Sequence, residues 1–274
     1  FAGCSKLTGA FSGPGVTTFS GSYHFEGAPL TSVSFPNSTT IPDGVCYKVS
    51  TLLSAEFGSS ITYIGYRAFA SCSALATIAY DGPVASIGYE AFSGCSSYVL
   101  GEHTFPDELT TIGNHAFAGC AKVTGPLVFP GLATISGTYT FEDSGILGFT
   151  ATNCTTIVQG MFNKCKKIQS AVFSPNVTQF DSHAFHDGGS TLTSLYPTSF
   201  PLLTGTFGTE VFHGQKNLSI PVFDLSKSTV TAIGSYAFAD CHNVATIKLP
   251  ETLTTLAEGS LGYNNGNLRA VWFY

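Results

Sequence analysis

Apolar and polar positions recur along this chain in one phrase with a period of about 23 residues. In each copy two apolar residues flank two small polar ones, and glycine, two variable residues, Ala-Phe and a short apolar strand follow. The clearest copies read ITYIGYRAFASCSALATIAY (61–80), LTTIGNHAFAGCAKVTG (109–125) and VTAIGSYAFADCHNVATIKLP (230–250). A unit of this length cannot bury its own apolar face, so the fixed period predicts a solenoid of stacked turns.

The phenylalanine of each copy marks its turn and is called the marker. Consecutive markers are 21 to 27 residues apart, and no linker interrupts the register between residues 1 and 274. We therefore predict a single solenoid of about twelve coils over residues 1–274, with these markers: Phe1, Phe25, Cys46, Phe69, Phe92, Phe117, Phe141, Phe162, Phe185, Phe212, Phe238 and Leu261.

Each turn is predicted to combine a short strand with an inward-facing marker. Alternating apolar residues that end at proline, as in 30–36 and 244–250, indicate a brief strand closed by a turn. The markers are expected to stack on one another as an aromatic ladder. Glycine four residues before the marker, as at Gly65 and Gly113, is expected to allow a tight turn or a positive φ.

Residues 186–220 are the least regular part of the repeat. Two marker spacings grow to 27 and 26, and extra glycine and proline residues appear. We interpret the segment as a bulged loop on one face and not as a domain boundary. Insertions of this kind can mark the binding face of a solenoid, but a tolerated irregularity is the favoured interpretation here.

The composition argues against several classes of partner. Only 10% of the residues are charged, and the net charge of −6 comes from scattered acids with no basic stripe, so nucleic acid is not an expected partner. No apolar run reaches the roughly 18 residues that a membrane helix needs, so no membrane insertion is predicted in this segment. A surface of Ser, Thr, Gly and Asn in place of Lys and Glu is common among secreted proteins.

The copies IGYRAFASCSALATI, IGYEAFSGCSS, IGNHAFAGCAKV and IGSYAFADCHNVATIKLP closely resemble the BspA-like class of leucine-rich repeats. The phrase of that family is Ile-Gly-x-x-Ala-Phe-x-x-Cys-x-x-Leu-x-x-Ile-x-Leu-Pro, and the resemblance covers essentially the whole chain. It implies a β-rich leucine-rich-repeat solenoid in a secreted or cell-surface protein that works in adhesion and protein binding. The family has no catalytic residues to carry over, and this chain departs from its pattern where Cys46 and Leu261 replace the marker.

The eight cysteines fall on core positions of the repeat. Six occupy the slot three residues after the marker, where cysteine behaves as a small hydrophobe, and we expect buried free thiols. Disulfides between neighbouring turns, such as Cys72–Cys95 or Cys95–Cys120, stay open as an alternative. No CxxC pair occurs, so a zinc site built on cysteine is not predicted.

No residue pattern supports catalysis, a cofactor or a metal. The chain has no HExxH, P-loop, GxSxG or dinucleotide fingerprint, and we predict no enzyme, no cofactor and no metal ligand. The histidines are expected to make surface pairs. Arg67, Glu90 and His115 lie two residues before successive markers and are expected to form a ladder of alternating charge.

Four Asn-x-Ser/Thr sequons are candidate N-glycosylation sites: Asn37, Asn153, Asn176 and Asn217. The first three share one register, nine residues before a marker, and two of them directly follow a proline that closes a strand. This turn position is expected to be exposed, as glycosylation requires. Asparagine also suits such turns for backbone reasons alone, and both interpretations stay open.

The chain begins and ends inside a repeat, without the polar cap that closes a solenoid. The last strand is expected to expose a sheet edge and large side chains, and the first residue is expected to be exposed as well. The candidate end-to-end contacts are Phe1, Val271, Trp272, Phe273 and Tyr274. The expected partners at these uncapped ends are adjoining repeats of a longer, truncated protein or other copies of the chain in a head-to-tail filament.

These patterns lead to two functional hypotheses. The first is a non-catalytic extracellular protein with a structural or adhesive role that assembles head-to-tail into a filament. The alternative is a monomeric recognition module that binds a host or matrix protein, or a glycan, on an exposed face of the solenoid or on the 186–220 segment.

Overall fold

A computed structural model describes residues 1–189 and 191–274 and shows a parallel β-solenoid of about eleven turns that follow one another about every 23 residues. The predicted leucine-rich-repeat solenoid is confirmed, and its turns correspond to the eleven intervals between the twelve markers. The described residues include no helical segment with the length and apolarity that crossing a bilayer demands. Their strands, in chain order, are β1 Gly9–Ser12, β2 Leu30–Phe35, β3 Ser54–Phe57, β4 Tyr63–Ile64, β5 Thr77–Ala79, β6 Ser86–Ile87, β7 His103–Thr104, β8 Thr111–Ile112, β9 Pro126–Val128, β10 Gly148–Ala151, β11 Thr156–Ile157, β12 Ser170–Phe173, β13 Gln179–Phe180, β14 Ser194–Tyr196, β15 Thr204–Phe207, β16 Ile220–Asp224, β17 Thr229–Ile233, β18 Val244–Leu249, β19 Thr255–Leu256 and β20 Ala270–Phe273.

The strands fall into two columns along the solenoid. In the long-strand column, the strands that follow each marker pair in parallel and in register, as Phe35 does with Phe57. This column contains the sheets β1-β2-β3-β5, β7-β9-β10-β12-β14 and β16-β18-β20. The short-strand column lies just before each marker and contains the sheets β4-β6-β8, β11-β13 and β15-β17-β19. The segments 30–35 and 244–249 are strands β2 and β18, as predicted.

The turn segment, from three residues before each marker to three residues after it, carries a backbone ladder of its own. In most turns three N–H groups donate to carbonyls of the following turn, as in these pairs at 2.7–2.9 Å: Arg67 to Tyr89, Phe69 to Ala91 and Ser71 to Ser93. A β ladder points its donors alternately to both sides, whereas these donors all point toward the C-terminal end of the solenoid. The ladder satisfies the backbone of the turn segments without β geometry.

The glycine four residues before the marker and the residues with a positive φ occupy mostly different positions of the turn segment. The sequence predicts a tight turn or a positive φ at the glycine four residues before the marker, but Gly113 does not adopt a left-handed φ. A Cβ there would lie 2.6 Å from the Tyr89 backbone nitrogen, so glycine is required because two turns approach closely. The left-handed conformation recurs two residues after the marker, as at Ser71, and two residues before it. The second position is mostly held by residues other than glycine: Tyr23, Arg67, Glu90, His115, Tyr139, His183, Glu210 and Tyr236.

Two aromatic columns fill the core of the solenoid. The marker rings from Phe69 to Phe212 stack on one another with centroids 5.1–5.8 Å apart, which confirms the predicted ladder. A second column, not anticipated from the sequence, consists of phenylalanines in or directly after the long strands and packs against the first. Its members are buried: Phe35, Phe57, Phe105, Phe129, Phe149, Phe173 and Phe223.

Buried cysteine thiols donate hydrogen bonds between turns. The Sγ atom of Cys95 lies 3.0 Å from the carbonyl oxygen of Phe69, and four other cysteines of the same slot make the equivalent contact to the preceding marker. Gln215 occupies this slot in another turn and donates from Nε2 to the carbonyl of Phe185 at 2.5 Å. All eight cysteines are free, as expected, and all except Cys4 are buried. The slot therefore accommodates a hydrogen-bond donor as well as a small side chain.

Residues 186–220 form turns of the solenoid, and the prediction of a bulged loop is wrong. The described part of this segment contains β14 and β15 and buries Leu195, Phe200 and Phe207 in the core. The extra residues coincide with a break in the long-strand column, because β14 and β16 belong to different sheets. Ser190, which falls within the predicted loop, lies outside the described residues.

Candidate binding cleft

A cleft opens in the long-strand column between β5 and β7. These strands are the edges of two neighbouring sheets and do not pair with each other. Between them, Tyr98 occupies the core slot in which the adjacent turns place Leu75 and Val123, and its ring stacks on Phe92 with centroids 5.3 Å apart. The spacing from Phe92 to the next marker is 25 residues, against 23 in the turn before. The break between β5 and β7 thus coincides with a larger core side chain and a longer segment.

The cleft encloses about 460 Å³ and combines aromatic walls with a few hydrogen-bonding groups. Ile78 and Tyr80 are half-buried, whereas the corresponding inward residues of β3, Ala55 and Phe57, are buried. They are uncovered because no strand pairs with the far side of β5. This volume and mixture of side chains are typical of ligand pockets. The lining includes Ile78, Tyr80, Phe92, Tyr98, Phe105 and Phe117 as apolar residues and Thr77, Asp81, His103 and Thr104 as polar ones.

The tyrosine and histidine side chains of the cleft are uncharged at neutral pH. Burial raises the pKa of Tyr80 to about 12 and also raises the pKa of Tyr98. Burial lowers the pKa of His103 below the usual histidine value. Asp81 adds an acidic group to the lining. A ligand group that is neutral and partly apolar suits such a site better than an ion, because burying a charge without a partner is costly.

The edge of β5 directs backbone groups into the cleft. The N–H of Thr77 donates to the carbonyl of Leu53, so it points toward β3. Successive residues of a parallel strand direct their N–H and C=O groups to opposite sides. Ile78 therefore directs its N–H and C=O away from β3 and toward the gap. A free strand edge of this kind is a template for pairing with another chain.

The predicted charge ladder is present in part on the turn segments. Arg67 and Glu90 form an ion pair with Nε and Oε2 2.5 Å apart. His115 contacts Glu142 in the following turn, at 3.9 Å, and its ring stacks on Tyr139. These half-exposed pairs link neighbouring turns, and exposed pairs of this kind contribute roughly 0–1 kcal/mol each.

A cluster of metal-ligating side chains lies further along the same turn segments. His186, Glu210 and His213 each place one ligand atom within 4.8 Å of those of the other two, a group found in a search of the described residues. The sequence interpretation predicts no metal ligand and misses this cluster. The available signal is the repeated spacing of three residues, His183 to His186 in one turn and Glu210 to His213 in the next.

The sequon asparagines all have exposed side chains: Asn37, Asn153, Asn176 and Asn217. In two of them, Asn37 and Asn153, Nδ2 donates to a proline carbonyl of the preceding turn at 2.7 Å, with Pro14 and Pro130 as the acceptors. This hydrogen bond between turns accounts for asparagine at these two positions without a glycan.

The residues proposed as end-to-end contacts lie on the first and last turns of the solenoid. Phe1 stacks on Phe25 and is 63% exposed. In β20, Trp272 and Phe273 are 56% and 65% exposed, Tyr274 beyond the strand is also exposed, and Val271 pairs with Ile247 and is half-buried. The two groups are therefore at opposite ends of the stack of turns and do not meet within one chain.

Solved structures that resemble this chain include bacterial repeat proteins. A leucine rich cell surface protein from Faecalibacterium prausnitzii A2-165 is 17% identical with a TM-score of 0.48, and the match covers 89% of this chain and 79% of that one. The leucine rich repeat protein of T. pallidum is 22% identical with a TM-score of 0.47, covering 69% and 78%. A leucine-rich repeat protein from Bacteroides ovatus ATCC 8483 is 18% identical with a TM-score of 0.37, covering 91% and 92%. No curated protein sequence matches the chain.

The repeat phrase itself identifies the family. The profile of the BspA type leucine rich repeat region matches six copies, over residues 1–99, 97–219 and 205–273, and so spans nearly the whole chain. Proteins with these repeats are typically surface proteins involved in protein recognition, and the fold is generally non-catalytic. The resemblance in the sequence is confirmed, and the chain belongs to the BspA type leucine-rich-repeat family.

Proposed function

We propose that this chain is a non-catalytic extracellular recognition protein that binds an extended segment of a partner protein in the cleft between β5 and β7. The observation that carries the proposal is the pair of open sheet edges on either side of an aromatic cavity. The family is typical of surface proteins and protein recognition, which supports this class of function. Binding of a host or matrix protein at a cell surface would give the chain an adhesive role.

An extended peptide is the occupant that the cleft geometry favours. In β-strand addition a ligand pairs its main chain with an exposed sheet edge, while pockets for its side chains provide specificity. Ile78 offers N–H and C=O groups on the β5 side, and β7 forms the opposite edge. One side chain of the ligand would then enter the cavity beside Tyr98 and Phe105.

The lining favours a particular side chain in that position. Aromatic residues dominate binding energy at many interfaces, and neutral tyrosines line this cavity. An aliphatic or aromatic side chain of the partner would therefore fill it. A lysine or arginine next to that side chain would complement Asp81.

Selection from a random-peptide phage library on the purified chain tests this function. We expect selected peptides to carry an apolar anchor and to lose about 10-fold or more in affinity with Ile78→Lys, which places a charge at the β5 edge. Tyr98→Leu installs the type of residue found in neighbouring turns and should also weaken binding. Val222→Lys, an exposed position of β16, is the matched control and should change nothing. Recovery of no peptide, binding that is insensitive to Ile78→Lys, or binding only on a glycan array contradicts the proposal.

Assembly and glycosylation are separate proposals for the same chain. Exposed aromatic residues on the first and last turns support end-to-end contact between Phe1 of one copy and residues 271–274 of another. A core cluster that extends from Phe25 to Leu249 supports residues 1–274 acting as one unit. Size-exclusion chromatography with negative-stain imaging should show rods of many subunits, and a monomer at high concentration contradicts assembly. Intact mass before and after glycosidase treatment tests the sequons, and an unmodified mass from the native source contradicts glycosylation.

A further inference from the structure

Four side chains of two neighbouring turns form a compact grid on the turn segments. His183 and Glu210 lie two residues before their markers, and His186 and His213 lie one residue after them. The carboxylate Oε2 of Glu210 lies 3.1 Å from Nε2 of His186 and 3.4 Å from Nε2 of His183. The rings of His186 and His213 stack with centroids 5.3 Å apart and planes at 21°. Stacking of the turns thus brings three imidazoles and one carboxylate together.

Asn163 fixes the orientation and the tautomer of His186. The Asn163 side chain is buried, and its Nδ2 donates to Oε1 of Glu142 at 2.9 Å, which directs its Oδ1 toward Nδ1 of His186 at 3.2 Å. His186 therefore donates from Nδ1 and presents the lone pair of Nε2 to the Glu210 carboxylate. Two acceptors 3.1 Å apart repel each other unless a proton or a metal ion lies between them.

We propose that His186, Glu210 and His213 bind a divalent transition-metal ion of the Zn²⁺ type, with water as the fourth ligand. Zinc binds histidine nitrogen at about 2.0–2.1 Å and carboxylate oxygen at about 2.0–2.2 Å, so tetrahedral ligand atoms lie about 3.4 Å apart. The separation of 3.1 Å between Glu210 and His186 is of that size, and the ligand atoms of His186, Glu210 and His213 all lie within 4.8 Å of one another. Two imidazoles and a single carboxylate suit Zn²⁺, whereas Mg²⁺ and Ca²⁺ require mainly oxygen ligands.

The surroundings of the grid fit the same assignment. A metal-bound histidine usually donates its other ring N–H to an oxygen that orients it, which is the contact Asn163 provides, so Asn163 is a positioning residue. Asp240 lies 3.5 Å from Nε2 of His213 and adds negative charge beside the ligands.

The ion would join two turns whose long strands β14 and β16 belong to different sheets. The spacing between the markers of these turns is 27 residues, and among the described residues beyond β14 the β pairing of this turn with β16 is limited to the isolated bridge of Ser199 to Asp224. A bound ion would hold the turn segments of Phe185 and Phe212 together on the opposite side of the repeat. Because the ion binds only the folded arrangement, it should raise the unfolding temperature.

Calorimetric titration of Zn²⁺ into the chelator-treated, tag-free chain tests the site. Cys4→Ser is included in every protein, because the exposed Cys4 thiol is a competing ligand. We expect one Zn²⁺ per chain, with affinity reduced about 10-fold or more by Glu210→Gln and by His186→Ala. Asn163→Ala should weaken binding by about 10- to 100-fold through the orientation of His186. Co²⁺ should give the absorption bands of a tetrahedral complex in the parent chain.

His115→Ala is the matched control, because His115 lies two residues before its marker, as Glu210 does four turns later. It should bind Zn²⁺ as the parent does. Circular dichroism of each variant establishes that its β structure is retained, and Glu210→Gln keeps the size of the side chain. The inference is overturned if the Cys4→Ser chain binds no Zn²⁺, or if Glu210→Gln binds it as tightly as His115→Ala.

Discussion

The thiol of Cys95 lies 3.0 Å from the carbonyl oxygen of Phe69, one turn earlier in the solenoid. That oxygen also accepts the backbone N–H of Cys72, so both of its acceptor sites are used. In the turn of Phe212 the amide of Gln215 donates in place of a thiol. The cysteine column is therefore a hydrogen-bond ladder within the core, in addition to its role in packing.

Replacing Cys95 by alanine should destabilise the chain more than replacing it by serine. Alanine removes the donor and leaves a small cavity, for an expected loss of about 1–3 kcal/mol in the free energy of unfolding. Serine keeps a donor and should cost about 1 kcal/mol less than alanine. Urea denaturation followed by circular dichroism measures both variants. If alanine is tolerated as well as serine, the sulfur only fills space.

Alkaline pH should weaken the fold through the buried thiols. Burial raises the pKa of Cys72, Cys120 and Cys165 to about 12, above the ordinary value of 9.0. Above pH 9 the unfolded chain releases these protons while the folded chain retains them, so stability is full below that pH and is lost toward pH 12. Each such thiol should lower the free energy of unfolding by about 1.4 kcal/mol per pH unit in this window. Denaturation at several pH values measures the slope, which Cys120→Ser should reduce, and equal stability at pH 8 and pH 11 contradicts the prediction.

Two substitutions test two different requirements of the turns: the close approach of neighbouring backbones and the left-handed backbone conformation. A Cβ at Gly88 would lie 2.7 Å from the backbone nitrogen of Tyr66, so Gly88→Ala should destabilise by about 2 kcal/mol or more. Ser71 has a φ of 62°, and the equivalent residues of the next two turns are Gly94 and Gly119. Ser71→Gly should stabilise by about 0.5–1 kcal/mol, because glycine relieves the left-handed strain. Thermal unfolding checks both, and a neutral Gly88→Ala or a destabilising Ser71→Gly is the contrary result.

The sequon asparagines should respond differently to substitution. Asn37→Ala and Asn153→Ala remove an inter-turn hydrogen bond and should each cost about 1 kcal/mol in chain made without glycosylation. Asn176→Ala, an exposed position in the same register, is the comparison and should leave stability within about 0.5 kcal/mol. Unfolding measurements on unglycosylated chain decide the matter. Equal stability of all three variants removes the structural role of Asn37 and Asn153.

The core was predictable from the sequence because it repeats. A marker such as Phe117 occupies the same slot in most turns, so its period shows both its burial and its stacking partners Phe92 and Phe141. The left-handed residue two positions before the marker was not predictable in this way. That position is occupied by Arg67, Glu90 and others with no shared chemistry, and only the geometry of the turn segment imposes the positive φ.

The cleft and the histidine grid occur where the turns depart from the common period. A repeat pattern predicts what the turns share and does not predict the structure of a turn that deviates. Tyr98 reads as one more apolar residue in a slot usually held by an aliphatic, but the break between β5 and β7 coincides with its larger side chain and with a longer segment. His186 and Glu210 are 24 residues apart and read as surface residues. Their proximity follows only once the register of two unequal turns is known.

Amide hydrogen exchange at Ile78 tests the central claim, recognition at the open edge of β5, most directly. In the free chain this N–H faces the cleft without a paired strand and should exchange quickly, whereas that of Thr77 is bonded to Leu53 and should be protected. A bound selected peptide should slow exchange at Ile78 by about 10-fold or more and leave Thr77 protected. Exchange at Ile78 that stays the same when such a peptide binds would contradict the account.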